Sequence, residues 1–213
     1  MVFGLFEDIP GKTSGKIIGT EDDDIIFATS FSDMNDDTIE GAEGNDIIAG
    51  SKGDDVITGG KGDDTLSGAN LAGEEAYTSG NGLFGQDTLT GGKGEDLFVL
   101  GGILEEGNGL DRNLGTSGDG NFFTLTSFDF SEDSTPNNYY DASGKDDYAV
   151  IADFDLAEDI IQLDGSKSDY SLGKSPSDLP AGTGIFQKEE LIGIVQGDEP
   201  LDLDASYFQD SAV

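Results

Sequence analysis

Gly41 to Ser67 reads GAEGNDIIA, GSKGDDVIT, GGKGDDTLS, three nine-residue units in unbroken register. Two further units follow, GLFGQDTLT from Gly82 and GGKGEDLFV from Gly91, and two degenerate ones precede, GTEDDDIIF from Gly19 and SDMNDDTIE from Ser32. The sixth position is Asp in all seven: Asp24, Asp37, Asp46, Asp55, Asp64, Asp87 and Asp96. The eighth is large and apolar: Ile26, Ile39, Ile48, Ile57, Leu66, Leu89 and Phe98. Successive Asp residues lie 13, 9, 9, 9, 23 and 9 apart, so insertions of 4 and 14 residues fall at Ala28 to Phe31 and Gly68 to Asn81. A short period of this kind signals units that stack, each too small to bury its apolar face alone.

The residue types at each position suit a turn followed by a short strand. Position 8 alternates with polar or small neighbours, as when one side chain per strand points inward. Glycines fill positions 1, 2 or 4 as Gly41, Gly44, Gly50, Gly53, Gly59, Gly60, Gly62, Gly82, Gly85, Gly91, Gly92 and Gly94. They admit left-handed or crowded backbone, so that the residues before the strand can form a tight turn with convergent carbonyls. Asp at position 6 adds a hard anionic oxygen, which suits calcium or magnesium. One such Asp would be an ordinary solvated turn residue; seven in one register are not explained that way.

These units resemble the GGxGxDxUx repeat of the repeats-in-toxin, or hemolysin-type calcium-binding, family, over Ile17 to Leu100. The resemblance implies an all-β fold, a right-handed parallel β-roll in which two nonapeptides make one coil and turns n and n+2 share an ion. Carried over, Asp24, Asp46, Asp64 and Asp96 line one edge and Asp37, Asp55 and Asp87 the other, giving several calcium sites and five at most. The first unit has Thr20 and Asp22 where glycines are expected. Calcium takes 6 to 8 oxygens and no single turn supplies them all, so sharing between coils couples folding to the ion.

Composition narrows the function classes. Lys plus Arg total 10 against 45 Asp plus Glu, a formal charge of -35 that repels nucleic acid phosphate and anionic lipid. Cys, His and Trp are absent, which excludes disulfides, thiolate or imidazole zinc sites, Cys nucleophiles and a Ser/His/Asp triad. A non-enzymatic protein is therefore expected. A carboxylate-pair glycosidase is the enzyme class that the acids leave open, and Arg112 is the only Arg. An adhesin rigidified by calcium is the alternative binding function, and no particular protein or glycan partner is indicated. The segment DFDLAED, Asp153 to Asp159, lacks the glycine and flanking helices of an EF-hand. Lys52, Lys61 and Lys93 at position 3 read as local compensation of acidic turns.

Four regions are expected: a lead-in at 1–16, the roll at 17–100, a loop-rich insertion at 101–145 and a β-rich cap at 146–213. The insertion has one possible strand, Phe122 to Phe130, and aromatics including Tyr139 and Tyr140 that could pack over the last coil or form a recognition surface. In the cap, Tyr148 to Phe154 and Asp159 to Leu163 are short apolar runs, and Ile185 to Gln187 pairs with Leu191 to Gln196 as a hairpin. The ending LDLDASYFQDSAV reads either as a terminal strand or as the uncleaved signal of a type I export route. Met1 suggests a complete reading frame, and neither an N-terminal signal peptide nor an apolar run of membrane-spanning length is legible. A secreted or cell-surface protein fits these features.

Overall fold

A computed structural model describes residues 3–7, 15–29, 36–50, 52–68, 85–101, 140 and 147–210. Residues 69–84, and with them all of the Gly68 to Asn81 insertion except Gly68, lie outside the described residues, as do Gly82, the possible strand at 122–130 and most of the aromatic segment.

The repeat region supplies β2 (Lys16–Ile18), β3 (Ile25–Thr29), β4 (Thr38–Glu43), β5 (Ile47–Ala49), β6 (Val56–Lys61), β7 (Thr65–Ser67), β8 (Gln86–Lys93) and β9 (Leu97–Val99), preceded by β1 (Phe3–Glu7). Beyond it come β10 (Tyr148–Ile151), β11 (Ile160–Leu163), β12 (Tyr170–Lys174), β13 (Gly182–Gln187), β14 (Glu190–Gln196) and β15 (Phe208–Asp210), with a 3-10 turn at Lys167–Asp169. Strands from alternate units join opposite sheets. One runs β1-β3-β5-β7-β9-β11-β15 and the other β12-β13-β14-β10-β8-β6-β4-β2. All pairings are parallel except those of β13 with β12 and β14. The chain thus forms the parallel β-roll that the period implies, with turns n and n+2 stacked.

Register explains the core. In the first sheet Ile26, Ile48, Leu66, Phe98, Ile161 and Phe208 pair in succession. In the second, Ile17, Ile39, Ile57, Leu89, Ile151 and Val195 do the same. All except the partly buried Ile17 are buried, so the position-8 side chains form two inward ladders in one core. Because strand side chains alternate, a slip of one residue would turn a whole ladder out to solvent, which fixes the register.

The C-terminal segment is β-rich, and β10, β11, β14 and β15 extend the same ladders past the recognisable repeats. The hairpin expected near Lys188 is present, with Gln187 paired to Glu190 and the left-handed Lys188 in its two-residue turn. Position 2 of the turns also holds a positive φ. Gly60 and Gly92 adopt +130° and +112°, and Ala42, in register with them, is held at +96° despite its Cβ.

Candidate metal centre

Each position-6 Asp that ends a turn is tied to the coil beneath it. Asp24 N–H donates to Asp46 Oδ1 at 2.8 Å, Asp46 N–H to Asp64 Oδ1 at 2.8 Å and Asp64 N–H to Asp96 Oδ1 at 2.9 Å. On the other edge Gly15 N–H donates to Asp37 Oδ1 at 2.7 Å, Asp37 N–H to Asp55 Oδ1 at 2.8 Å and Asp55 N–H to Asp87 Oδ1 at 2.9 Å. The structure therefore brings Asp24, Asp46, Asp64 and Asp96 into one stack and Asp37, Asp55 and Asp87 into another.

The second carboxylate oxygen behaves differently along the stacks. Oδ2 of Asp46, Asp55 and Asp64 is buried with no hydrogen-bond partner among the described residues. Each points at the position-1 glycine of its own unit. A Cβ on Gly41 would run into Asp46 Oδ2 and stand 2.7 Å from the Gly59 carbonyl oxygen. One on Gly50 would meet Asp55 Oδ2 and stand 2.8 Å from the Gly68 carbonyl oxygen, and those on Gly59 and Gly91 would strike Asp64 and Asp96 Oδ2. A carboxylate oxygen and a main-chain carbonyl from the next coil thus share a space that only glycine leaves open. Gly44, Gly53, Gly60, Gly62, Gly85, Gly92 and Gly94 take positive φ in the same turns. At Gly62 the carbonyl of Gly44 lies where a Cβ would project, so the close stacking of coils also requires glycine.

This chemistry fits a hard cation. Among the described residues no group of three or more acidic side chains is gathered to hold a metal. An ion at these turns would be held by one carboxylate per turn together with main-chain carbonyls, an all-oxygen set of the kind calcium accepts. A buried polar oxygen left unpaired costs about 1–3 kcal/mol, and more if charged, so an arrangement repeated three times calls for a positive partner.

At several other positions Oδ2 has donors. Thr20, the non-glycine residue of the first unit, gives Asp24 Oδ2 its N–H at 2.6 Å and its hydroxyl at 3.0 Å. Tyr140 hydroxyl donates to Asp87 Oδ2 at 3.0 Å. Asp159, paired through Ile160 and Ile161 to the Asp96 strand, accepts Asp96 N–H at 3.1 Å on Oδ1 and Asp155 N–H at 2.8 Å on Oδ2. Asp153 accepts Gly91 and Gly92 N–H at 2.9 and 3.0 Å. The DFDLAED segment is thus built into the roll as caps for its backbone.

Position 5 carries a second ladder that the sequence reading passed over. Asn45 N–H donates to Asp23 Oδ1, Asp63 N–H to Asn45 Oδ1 and Glu95 N–H to Asp63 Oδ1, at 2.8 to 2.9 Å. Asp54 N–H donates to Asp36 Oδ1 and Gln86 N–H to Asp54 Oδ1, at 3.0 and 2.9 Å. The signal was in the text, because position 5 is Asp, Asn, Glu or Gln in every unit. Lys61 pairs with Glu43 on the neighbouring coil and Lys16 with Glu40 at 3.6 Å; both pairs are exposed, so they add little stability.

Burial pushes the Asp46, Asp55 and Asp96 carboxyls up to about 7 and that of Asp64 to about 8, with neighbouring Asp residues adding to the rise and backbone N–H donors opposing it. Asp87 is raised well above the usual carboxylate range by burial, and the fully buried Tyr140 phenol is raised by burial and by Asp87. Without metal, the folded chain therefore holds protons that the unfolded chain releases near pH 4. The resulting stabilisation is complete below that pH and is lost as pH rises through about 7 to 8. In EDTA, acidification from pH 8 to about 5 is expected to increase far-ultraviolet β-sheet dichroism. A spectrum that stays flat or loses sheet over that range would contradict this.

Two sheets wound from stacked turns, with a carboxylate oxygen unpaired among the described residues in each of three central turns and a main-chain carbonyl beside it in the Asp46 and Asp55 turns, define a calcium-type β-roll. The family model of the RTX calcium-binding nonapeptide repeat matches in 4 copies, at residues 31–66 and 80–102. The resemblance read from the repeats is thereby found in the repeat region, and repeats of this family indicate calcium binding. A search of the curated proteins finds no match. No helix among the described residues is long and apolar enough to cross a membrane.

Proposed function

We propose that this is a non-enzymatic, exported protein whose β-roll takes up several calcium ions and folds as it does so. The observation that carries the reading is the set of three buried Oδ2 atoms without a partner among the described residues, on Asp46, Asp55 and Asp64. They fall in the three units of unbroken glycine-rich register, each facing the first glycine of its unit, with a carbonyl beside Asp46 and Asp55 Oδ2. Calcium bound there supplies positive charge and a demand for further oxygens. The chain's residues do the rest: Oδ1 locks each turn to its neighbour, Oδ2 and the carbonyls face the ion, and glycine keeps the space open. Asp96 Oδ2 faces Gly91 in the same way.

Export is supported by the absence of Cys and by the ion requirement, since extracellular calcium modules work at about 0.1 to 1 mM. A type I route fits the acidic and apolar C-terminus, of which β15 is a part.

Asp55→Ala and Asp64→Ala are expected to lower calcium affinity about 10- to 100-fold or more, since losing even an outer partner of a metal ligand costs that much. Glu74→Ala, in the insertion between repeats, should leave it unchanged. Isothermal titration reads both, and equal, negligible effects of all three substitutions would remove the assignment.

A further inference from the structure

The Asp55 edge contains one turn built like the others but filled by a side chain. At Gly50, Asp55 Oδ2 and the Gly68 carbonyl share the space beside the α-carbon. At Gly68, Asp87 Oδ2 lies in the corresponding place, but its companion there is the Tyr140 hydroxyl. That hydroxyl donates to Asp87 Oδ2 at 3.0 Å, and Tyr140 is completely buried within the core cluster. Asp87 Oδ1 accepts Asp55 N–H at 2.9 Å, as the other ladder carboxylates do, so the turn itself is not distorted. Only its free oxygen differs from those of Asp46, Asp55 and Asp64, which have no donor among the described residues.

We propose that Tyr140 stands in for a calcium ion at the Asp87 turn, so that this edge of the roll ends on a hydrogen bond and holds no ion at Asp87 Oδ2. The proposal rests on the calcium reading of Asp55 and its equivalents. A neutral O–H donor satisfies one carboxylate oxygen, whereas calcium asks for 6 to 8 oxygens, and the buried ring occupies volume that those ligands would need. Thr20 on Asp24 and the Asp155 N–H on Asp159 are parallel cases: near the ends of the other stack too, the second oxygen is closed by a donor from the chain. Tyr140 lies 53 residues beyond Asp87 in sequence, so the closure is made by a residue from outside the repeats.

Calcium bound per full-length chain, measured by equilibrium dialysis, tests this. Asp55→Asn should lose at least one ion. Asp87→Asn should lose none, because the amide can keep both partners by accepting from Asp55 N–H and donating to the Tyr140 oxygen. Loss of an ion in both variants overturns the Tyr140 assignment while leaving the calcium reading standing, and loss in neither overturns both. Should Asp87→Asn fail to fold, Tyr140→Phe serves: an unchanged or larger number of ions supports the proposal, and the loss of one makes the hydroxyl a ligand and contradicts it.

Discussion

In EDTA at pH 8, most of the sheet signal is expected to disappear, and millimolar calcium is expected to restore it while magnesium restores little. Three buried carboxylate oxygens without donors among the described residues, at about 1–3 kcal/mol each or more when charged, stand against a typical net stability of about 5–15 kcal/mol. To them is added the repulsion within a chain of formal charge -35. Among the described residues each unit of the roll contributes only one or two large side chains to the core, so apolar burial leaves little reserve. Magnesium demands a smaller, stricter octahedron and keeps its waters, which suits carbonyl-lined turns poorly. Far-ultraviolet dichroism unchanged by chelation would show that the turns close without an ion.

Truncation after Gly102 is expected to prevent folding of the monomer at the calcium concentration that folds the whole chain, or to yield aggregates. The cut removes β10 and β11, which pair with β8 and β9, and β14 and β15, which continue them. It uncovers Leu89, Phe98, Val99 and Leu100, all fully buried, at about 1.5–3 kcal/mol per side chain, which together is about the net stability of a domain. Phe98 also loses its edge-on contact with Phe154, centroids 6.1 Å apart, and Asp96 N–H loses Asp159. Two open strand edges bearing apolar residues would remain as templates for association. Gel filtration of the truncated chain in calcium decides the matter. A folded monomer at the same calcium concentration would mean that the C-terminal strands are not needed by the roll.

The repeats were legible because two requirements coincide every nine residues: an inward apolar side chain and a carboxylate at the end of a glycine turn. Where the second requirement lapses, so does the signal. Ile151 and Ile161 occupy the same inward ladders as Leu89 and Phe98, and Asp159 stands in register with Asp96, yet Phe154, Asp155 and Ala157 stand where the glycines would be. The hydrophobic alternation still marked these runs as strands, though not as further coils. The hairpin was readable from local turn chemistry alone. Tyr140 was not, because its role depends on a contact across 53 residues, and no period announces a single side chain that fills a turn. The position-5 ladder was overlooked for the opposite reason: its polar residues look like ordinary solvated turn positions, and only stacking gives their oxygens a use.

Anomalous diffraction from crystals grown in calcium tests the central claim most directly, because calcium is the strongest anomalous scatterer expected in the chain's turns. The account predicts peaks beside Asp46 Oδ2, Asp55 Oδ2 and Asp64 Oδ2, each between its own turn and the turn of the next coil, and none at the Asp87 oxygen bound by Tyr140. Calcium found only on exposed carboxylates, with those three buried oxygens still unpaired, would contradict it.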